Sequence, residues 1–288
     1  MNKIPEKTLK CGFSMPVFGM GTWMMGGDTD RDPADNGDSS VNALRRGLEL
    51  GLRHIDTAEI YAEGFSEEIT GRAIAGWSRE ELFITSKVWP TNLSYDGVLR
   101  AVEGSLKRIK TNYLDLYLIH NSNDEIPMSE TFRALDKLVD EKVVKNIGVS
   151  NFAVPRLIKA QELSANKIVV NQVHFNLVCR APEAEGLIEY ALKNDVMITA
   201  WRPLQKATII DAEILKPLAA KYHKTPAQIA LNWVVSQPNT VTMSTMRSPK
   251  HIAENIAAVT WRMDDSDIEL LRNHFPGRMT VSDAVPMS

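Results

Sequence analysis

Short runs of Val, Ile and Leu alternate along the chain with longer segments whose apolar residues recur at helical spacing, at intervals of about 25 to 35 residues. This rhythm predicts strands near 17–21, 53–56, 82–87, 114–119, 145–149, 168–173, 196–200 and 240–243, with helices between them. An N-terminal stretch, 7–17, reads as a hairpin. The runs LYLI and FITS are apolar almost throughout, as parallel strands covered on both faces are. The helical segments SVNALRRGLELG, VLRAVEGSLKRI and TPAQIALNWVVSQ are each amphipathic. The first ends on Gly51, and the third starts with Thr225 as N-cap and Pro226 as its first residue.

Roughly eight strand and helix repeats, uninterrupted by a Pro-, Gly- or Ser-rich linker, predict a (β/α)8 TIM barrel over 1–288 as one domain, its floor capped by the hairpin. The rival architecture is a doubly wound sheet, which needs a glycine fingerprint for phosphate. The nearest candidate, GMGTWM, has Met24 where the third glycine belongs, so that reading fails.

Composition changes this picture little. With 44% hydrophobic and 24% charged residues, the 288-residue chain has ample material for a core, which excludes disorder and coiled coil. A formal net charge of -3 offers no broad attraction to nucleic acid or an anionic membrane, so any anionic ligand must be held locally. The start MNKIPEKTLK lacks an apolar leader core, and no apolar run approaches the roughly 20 residues that span a bilayer. A cytoplasmic protein with neither nucleic acid nor membrane as partner is expected. Cys11 and Cys179 lie far apart without CxxC or Cys/His spacing, so neither a disulfide framework nor a metal site is predicted.

In a barrel the chemistry sits at the C-terminal ends of the strands. Asp56 ends HID, Tyr61 follows in DTAEIY, Lys87 ends LFITSK and His120 ends LYLIH. Each alone has a structural explanation: a helix cap, a loop aromatic, a snorkelling lysine, a core histidine. Together, on consecutive strands, they converge on one mouth, and a lysine after so apolar a strand requires a compensating carboxylate. A tyrosine with a normal pKa of about 10 exchanges protons poorly near neutrality, and Lys87 is expected to lower it, with Asp56 holding Lys87 charged. His120 is expected to donate a hydrogen bond to a substrate oxygen as negative charge develops there. The set describes reduction of C=O.

In order, spacing and barrel position, MPVFGMGTW, DTAEIYAEG, ITSKVW, YLDLYLIH, KNIGVSNF, VNQVHFN, AWRPL and RSPKHIAEN resemble the aldo-keto reductases over nearly the whole chain. The resemblance implies that Asp56, Tyr61, Lys87 and His120 form a catalytic tetrad. It also implies that NADP(H) lies extended across the mouth without a Rossmann domain. Ser150, Asn151 and Gln172 then hold the carboxamide, and Trp201 stands where an aromatic, usually Tyr, stacks on the nicotinamide. Gly21, Thr22, Pro203 and Leu204 fall at cofactor positions, with Arg202 reaching a pyrophosphate oxygen.

MSTMRSPKHIAEN has an independent reading as a phosphate site, because Ser248 as N-cap and Pro249 as first residue open a helix after the last strand. Arg247 and His251 are expected at an adenosine 2′-phosphate, and the resemblance gives Asn255 and Glu254 to the adenine side. The Lys-Ser pair common in the family is replaced by Thr245 and Met246, so a preference for NADPH rests on Arg247. Trp23, Trp89 and Asn121 stand at substrate-pocket positions for a small aldehyde or ketone, with the insert 24–38 and the tail 277–288 bordering the mouth. Two other functions compete with this carbonyl reductase: an NADPH-binding regulatory subunit of the same fold, and a Schiff-base aldolase with Lys87 as nucleophile.

Overall fold

The computed structural model describes residues 4–275 and 282–288. A hairpin, β1 (Glu6–Thr8) and β2 (Ser14–Pro16), precedes the barrel strands β3 (Phe18–Gly21), β4 (His54–Asp56), β5 (Phe83–Val88), β6 (Leu116–Ile119), β7 (Ile147–Ser150), β8 (Ile168–His174), β9 (Met197–Trp201) and β10 (Thr240–Ser244). All eight are parallel to their neighbours, and β10 pairs with both β9 and β3 to close the barrel. The predicted (β/α)8 barrel, its floor hairpin and all eight strands are therefore present. Six strands begin one or two residues later than the apolar runs do, while β8 and β10 begin where expected. Leu114 and Val144, for example, are buried but form only an isolated bridge, because burial alone does not require ladder pairing.

The helices start and stop where the local chemistry dictates. Pro226–Ser236 opens on a full capping box, with Thr225 Oγ1 accepting from Gln228 N–H and Gln228 Oε1 accepting from Thr225 N–H. Asp38–Glu49 ends before Gly51, whose φ of 103° only glycine adopts freely. The expectation for Ser248 is only half met. Pro249–Ala258 does begin after it, yet the Ser248 side chain makes no cap hydrogen bond, so this helix start keeps its donors unspent.

Strand alternation sorts the core into two clusters. Tyr117 and Ile119 join the cluster between sheet and helices, whereas Leu116 and Leu118 face an inner cluster with Val170, Met197 and Val241. Leu9, Phe13 and Met15 of the hairpin segment complete that inner cluster, so the floor is a dry plug. The hairpin is tied down by Lys7, whose ammonium donates to the carbonyls of Val235, Gln237 and Thr240 at 2.7, 2.6 and 2.8 Å. Such a cation at the end of Pro226–Ser236 satisfies carbonyls that the helix leaves open. Above the plug lies His54, fully buried against Gly19: a Cβ on Gly19 would lie 2.3 Å from His54 Nδ1.

Burial drives the His54 pKa down to about 4, with Nε2 sharing a hydrogen bond with Thr85 Oγ1 at 3.1 Å. The unfolded chain, with a His pKa near 6.5, binds this proton between about pH 6.5 and 4 while the native protein does not. Stability should therefore fall with pH across that window by about 3 kcal/mol from this residue. Urea unfolding at pH 7 and 4.5 checks it: His54→Gln should show a markedly smaller loss than the wild type, and equal losses would remove His54 as the cause.

Candidate active site

β4, β5 and β6 deliver their last polar residues to one mouth. Lys87 is completely buried; its Nζ donates to Asp56 Oδ1 at 2.5 Å, to the Thr57 carbonyl at 2.7 Å and to Tyr61 Oη at 3.3 Å. Those three contacts use the whole donor capacity of an ammonium. The other Asp56 oxygen accepts from Gln172 Nε2 at 2.8 Å. Tyr61 Oη is thus beside a fixed cation, and His120 stands edge-on to the Tyr61 ring with centroids 5.5 Å apart.

The turn that carries Tyr61, Tyr61–Gly64, is unusual, because Ala62 and Glu63 are both left-handed at φ 50° and 55°. Such conformations cost an L-residue roughly 1–2 kcal/mol each. They are held by the insert 24–38, whose Asp28 and Thr29 carbonyls accept from Ala62 N–H and Glu63 N–H at 2.7 and 2.9 Å. The insert, expected only to border the mouth, braces the tyrosine turn. Residues 277–281 of the predicted mouth tail lie outside the described residues.

The electrostatics differ from the sequence-based expectation at one point. Burial raises the Tyr61 pKa and outweighs the Lys87 ammonium, which acts to lower it, so the net shift is upward. The phenol stays protonated at neutral pH. Burial also opposes the Lys87 charge, but Asp56 and Tyr61 prevail and raise its pKa. For His120, burial and then Lys87 push the pKa well below the usual value, so the ring is neutral. Its Nδ1 is buried without a partner, and a proton on Nε2 spares the buried side an unpaired N–H.

Two tryptophans complete this wall. Trp23 meets Tyr61 edge to face at 4.8 Å and Trp89 meets His120 likewise at 5.2 Å, so the predicted pocket aromatics do gather around the tetrad positions. Glu59, passed over in the sequence although it lies within DTAEIY, fixes Trp89. Its Oε1 accepts from Trp89 N–H at 2.6 Å and from Asn92 Nδ2 at 3.0 Å.

The groups read as a carboxamide cradle lie together and bond to one another. Ser150 Oγ donates to the Gln172 carbonyl at 2.9 Å, and Asn151 Nδ2 donates to Asn121 Oδ1 at 2.8 Å and Ser150 Oγ at 3.0 Å. Trp201 Nε1 donates to Asn151 Oδ1 at 3.2 Å. Gly21 pairs with Asp56 in register, and the next residue, Thr22, keeps a buried Oγ1 without a partner. Pro203 is buried and Leu204 half-buried beside them. Arg202 is engaged elsewhere than expected: its Nη1 pairs with Asp283 Oδ1 at 3.2 Å, because the chain's own carboxylate reaches it.

Past β10, Arg247 and His251 are exposed at the start of Pro249–Ala258. Arg247 donates to the Met24 carbonyl, and Thr245 Oγ1 donates to the Trp23 carbonyl at 3.2 Å. Asn255 is buried and Glu254 partly so, its carbonyl accepting from Gln228 Nε2 at 2.8 Å. Sequence reasoning also missed His174, which stacks on Trp201; standing two residues after Gln172 on β8, it shares the inward side, and that period was the available signal.

The sequence profile described as the aldo/keto reductase family matches residues 17–275. Methylglyoxal reductase YeaE of Escherichia coli K12 is 33% identical over 269 residues, covering 91% of this chain and 92% of that protein. Among solved structures, the thermostable aldo-keto reductase Tm1743 in complex with the inhibitor epalrestat is 38% identical, with a TM-score of 0.90 over 93% of this chain and 99% of its own. An aldo-keto reductase from Klebsiella pneumoniae in complex with NADPH is 31% identical, with a TM-score of 0.86 over 98% and 99%. With this profile and these relatives spanning the barrel and its mouth, the chain belongs to the aldo/keto reductase family and is an oxidoreductase of that type.

Proposed function

We propose that the protein is an NADPH-dependent carbonyl reductase acting on small aldehydes or ketones, with Tyr61 as the proton donor. The observation that carries this reading is the Tyr61 hydroxyl lying 3.3 Å from the Lys87 ammonium, which Asp56 pairs at 2.5 Å. The reduction of methylglyoxal named for the Escherichia coli relative fits a small carbonyl substrate.

The residues suit a nicotinamide dinucleotide. Ser150, Asn151 and Gln172 offer the amide and hydroxyl groups that match a carboxamide, Trp201 offers a flat face, and the unpartnered Thr22 Oγ1 sits directly after β3. Pro249–Ala258 presents uncapped N–H groups beside Arg247, a suitable place for phosphate. The NADPH held by the Klebsiella relative supports the same assignment. Bound at these residues, the cofactor supplies the hydride for the carbonyl carbon.

The chain's own groups do the rest. His120 Nε2–H donates to the substrate oxygen and fixes its angle, in a water-poor wall formed by Trp23, Tyr61 and Trp89. Tyr61 hands its proton to that oxygen as negative charge gathers on it, and Lys87 stabilises the phenolate left behind. Asn121 Oδ1 accepts from Asn151, which fixes the orientation of the Asn121 amide beside His120. A nucleophilic lysine needs a depressed pKa, whereas that of Lys87 is raised, which weighs against the aldolase reading.

Tyr61→Phe should lower kcat for ketone reduction by about 10²–10⁴-fold, the usual contribution of a general acid, with NADPH binding nearly intact. Because burial raises the phenol pKa, reduction by the wild type should hold constant through neutral pH and decline only above about pH 10. Steady-state kinetics from pH 6 to 10.5 tests both; near-normal turnover in the variant removes Tyr61 as donor.

Arg247→Ala should weaken NADPH binding by roughly 1.5–3 kcal/mol, the range for a hydrogen bond to a charged group, and leave NADH almost unchanged. The lower end is expected, since Arg247 must first give up the Met24 carbonyl. Fluorescence titration with both cofactors checks this. Equal losses would show a loosened helix start and not a lost 2′-phosphate contact.

A further inference from the structure

His174 is the last residue of β8 and pairs in register with Trp201, the last of β9. Its ring lies almost parallel to the indole, with centroids 4.3 Å apart and planes 15° apart. The contact is close to a face-to-face stack, with His174 buried and Trp201 half-buried. An indole at a strand end has two free torsions; the His174 face and the hydrogen bond to Asn151 Oδ1 together fix both.

His174 is itself held on both nitrogens. Gln205 Oε1 already accepts from Asn176 Nδ2 at 2.9 Å, and it accepts from His174 Nε2 at 2.7 Å. Nδ1 then accepts from the Ser282 hydroxyl at 2.8 Å. Gln205 belongs to a loop in which Arg202, Gln205, Lys206 and Ala207 are all left-handed, a run that needs external support. Asp283 adds to that support through Arg202 Nη1 at 3.2 Å and Gln205 Nε2 at 3.4 Å. The imidazole therefore joins three things: the indole face, the loop that follows β9 and the segment 282–283. Among the described residues no hydrogen bond links it to Asp56, Tyr61, Lys87 or His120, so its effect on the reaction passes through what it touches, Trp201, the loop 202–207 and Ser282.

We propose that His174 is a positioning residue that sets the plane of Trp201 for stacking on the nicotinamide and ties that plane to the loop 202–207 and to Ser282. The proposal rests on the NADPH reading above. Its first half, the fixing of the indole, concerns the free protein alone. The stack does the orienting, and the two hydrogen bonds keep the imidazole in the stacked rotamer. A flat apolar ring of similar size preserves the first function and loses the second.

The test uses the full chain as His174→Ala, His174→Phe and His174→Gln, with Trp201→Phe to identify the Trp201 band in the near-ultraviolet circular dichroism spectrum. In the free protein that band should collapse in His174→Ala and His174→Gln and largely return in His174→Phe. NADPH Kd, read by fluorescence quenching, should rise about 3- to 10-fold in His174→Ala, the scale of one aromatic pair. It should recover in His174→Phe, with kcat changing less than Kd throughout. An unchanged Trp201 band in folded His174→Ala overturns the inference whatever the cofactor does. A lost band with unchanged Kd overturns the link to the cofactor, and recovery in Gln but not Phe overturns the role of the stack. A wild type that does not bind NADPH is read separately, as failure of the proposed function and of the cofactor half of this inference.

Discussion

The Lys87 ammonium is sealed from water, and the mouth of the barrel is arranged around that charge. Left alone in an apolar strand, such a group would be driven neutral. Asp56, the Thr57 carbonyl and Tyr61 occupy its three donors, and Gln172 occupies the second Asp56 oxygen. The resulting chain, Gln172 to Asp56 to Lys87 to Tyr61, crosses the barrel from β8 to the adjacent pair β4 and β5, neither of which neighbours β8 in the sheet. Closure of the barrel is thus a condition for the charge being tolerated. Removing either Asp56 or Lys87 alone would leave a buried charge uncompensated, which in other proteins costs about 3–5 kcal/mol.

The same interior is apolar below and polar above. Phe13, Met15, Leu116, Met197 and Val241 fill the floor, His54 and Thr85 form a neutral polar layer against Gly19, and the ion pair sits on top. Each layer makes the next possible. A dry floor raises the penalty for any unpaired charge near it, so the only charges admitted are ones with complete sets of partners. The neutrality of His54 belongs to this order: burial, with Lys87 above it, keeps the ring uncharged although Asp56 and Asp115 both favour its charged form.

Much of this was legible in the sequence because it follows from strand periodicity. Asp56, Lys87, Ser150, Gln172 and Trp201 all stand at or near the ends of apolar runs, and in a barrel the ends of runs meet. Thr225, Pro226 and Gln228 announced their helix by local chemistry alone. What escaped was set by contacts between distant segments. The direction of the Tyr61 shift depends on how deeply the 61–64 turn is buried, which the insert decides through the Asp28 and Thr29 carbonyls. The partners of Arg202 and Arg247 are, respectively, a carboxylate 81 residues away and a backbone carbonyl 223 residues away, and no spacing rule announces either. His174 was missed for a different reason: its signal was the plain period of a strand, and an inward histidine on its own does not declare a neighbour's ring.

The amides at the mouth also shape how a ligand can bind. Asn151 Oδ1 already accepts from Trp201, Asn151 Nδ2 already donates to Asn121 and Ser150, and Gln172 Nε2 already donates to Asp56. On the proposed reading, a carboxamide entering here would compete with these internal partners for part of its hydrogen bonding. Since a net hydrogen bond is worth only about 0.5–1.5 kcal/mol even when water is the competitor, exchange against well-formed internal partners leaves little affinity at that end. Under the same proposal, the free energy of holding a dinucleotide would come mainly from the face of Trp201 and from the helix start beside Arg247, where the Ser248 side chain makes no cap hydrogen bond. On that same proposed reading the amides would contribute orientation, while the flat ring and the helix start would carry the affinity.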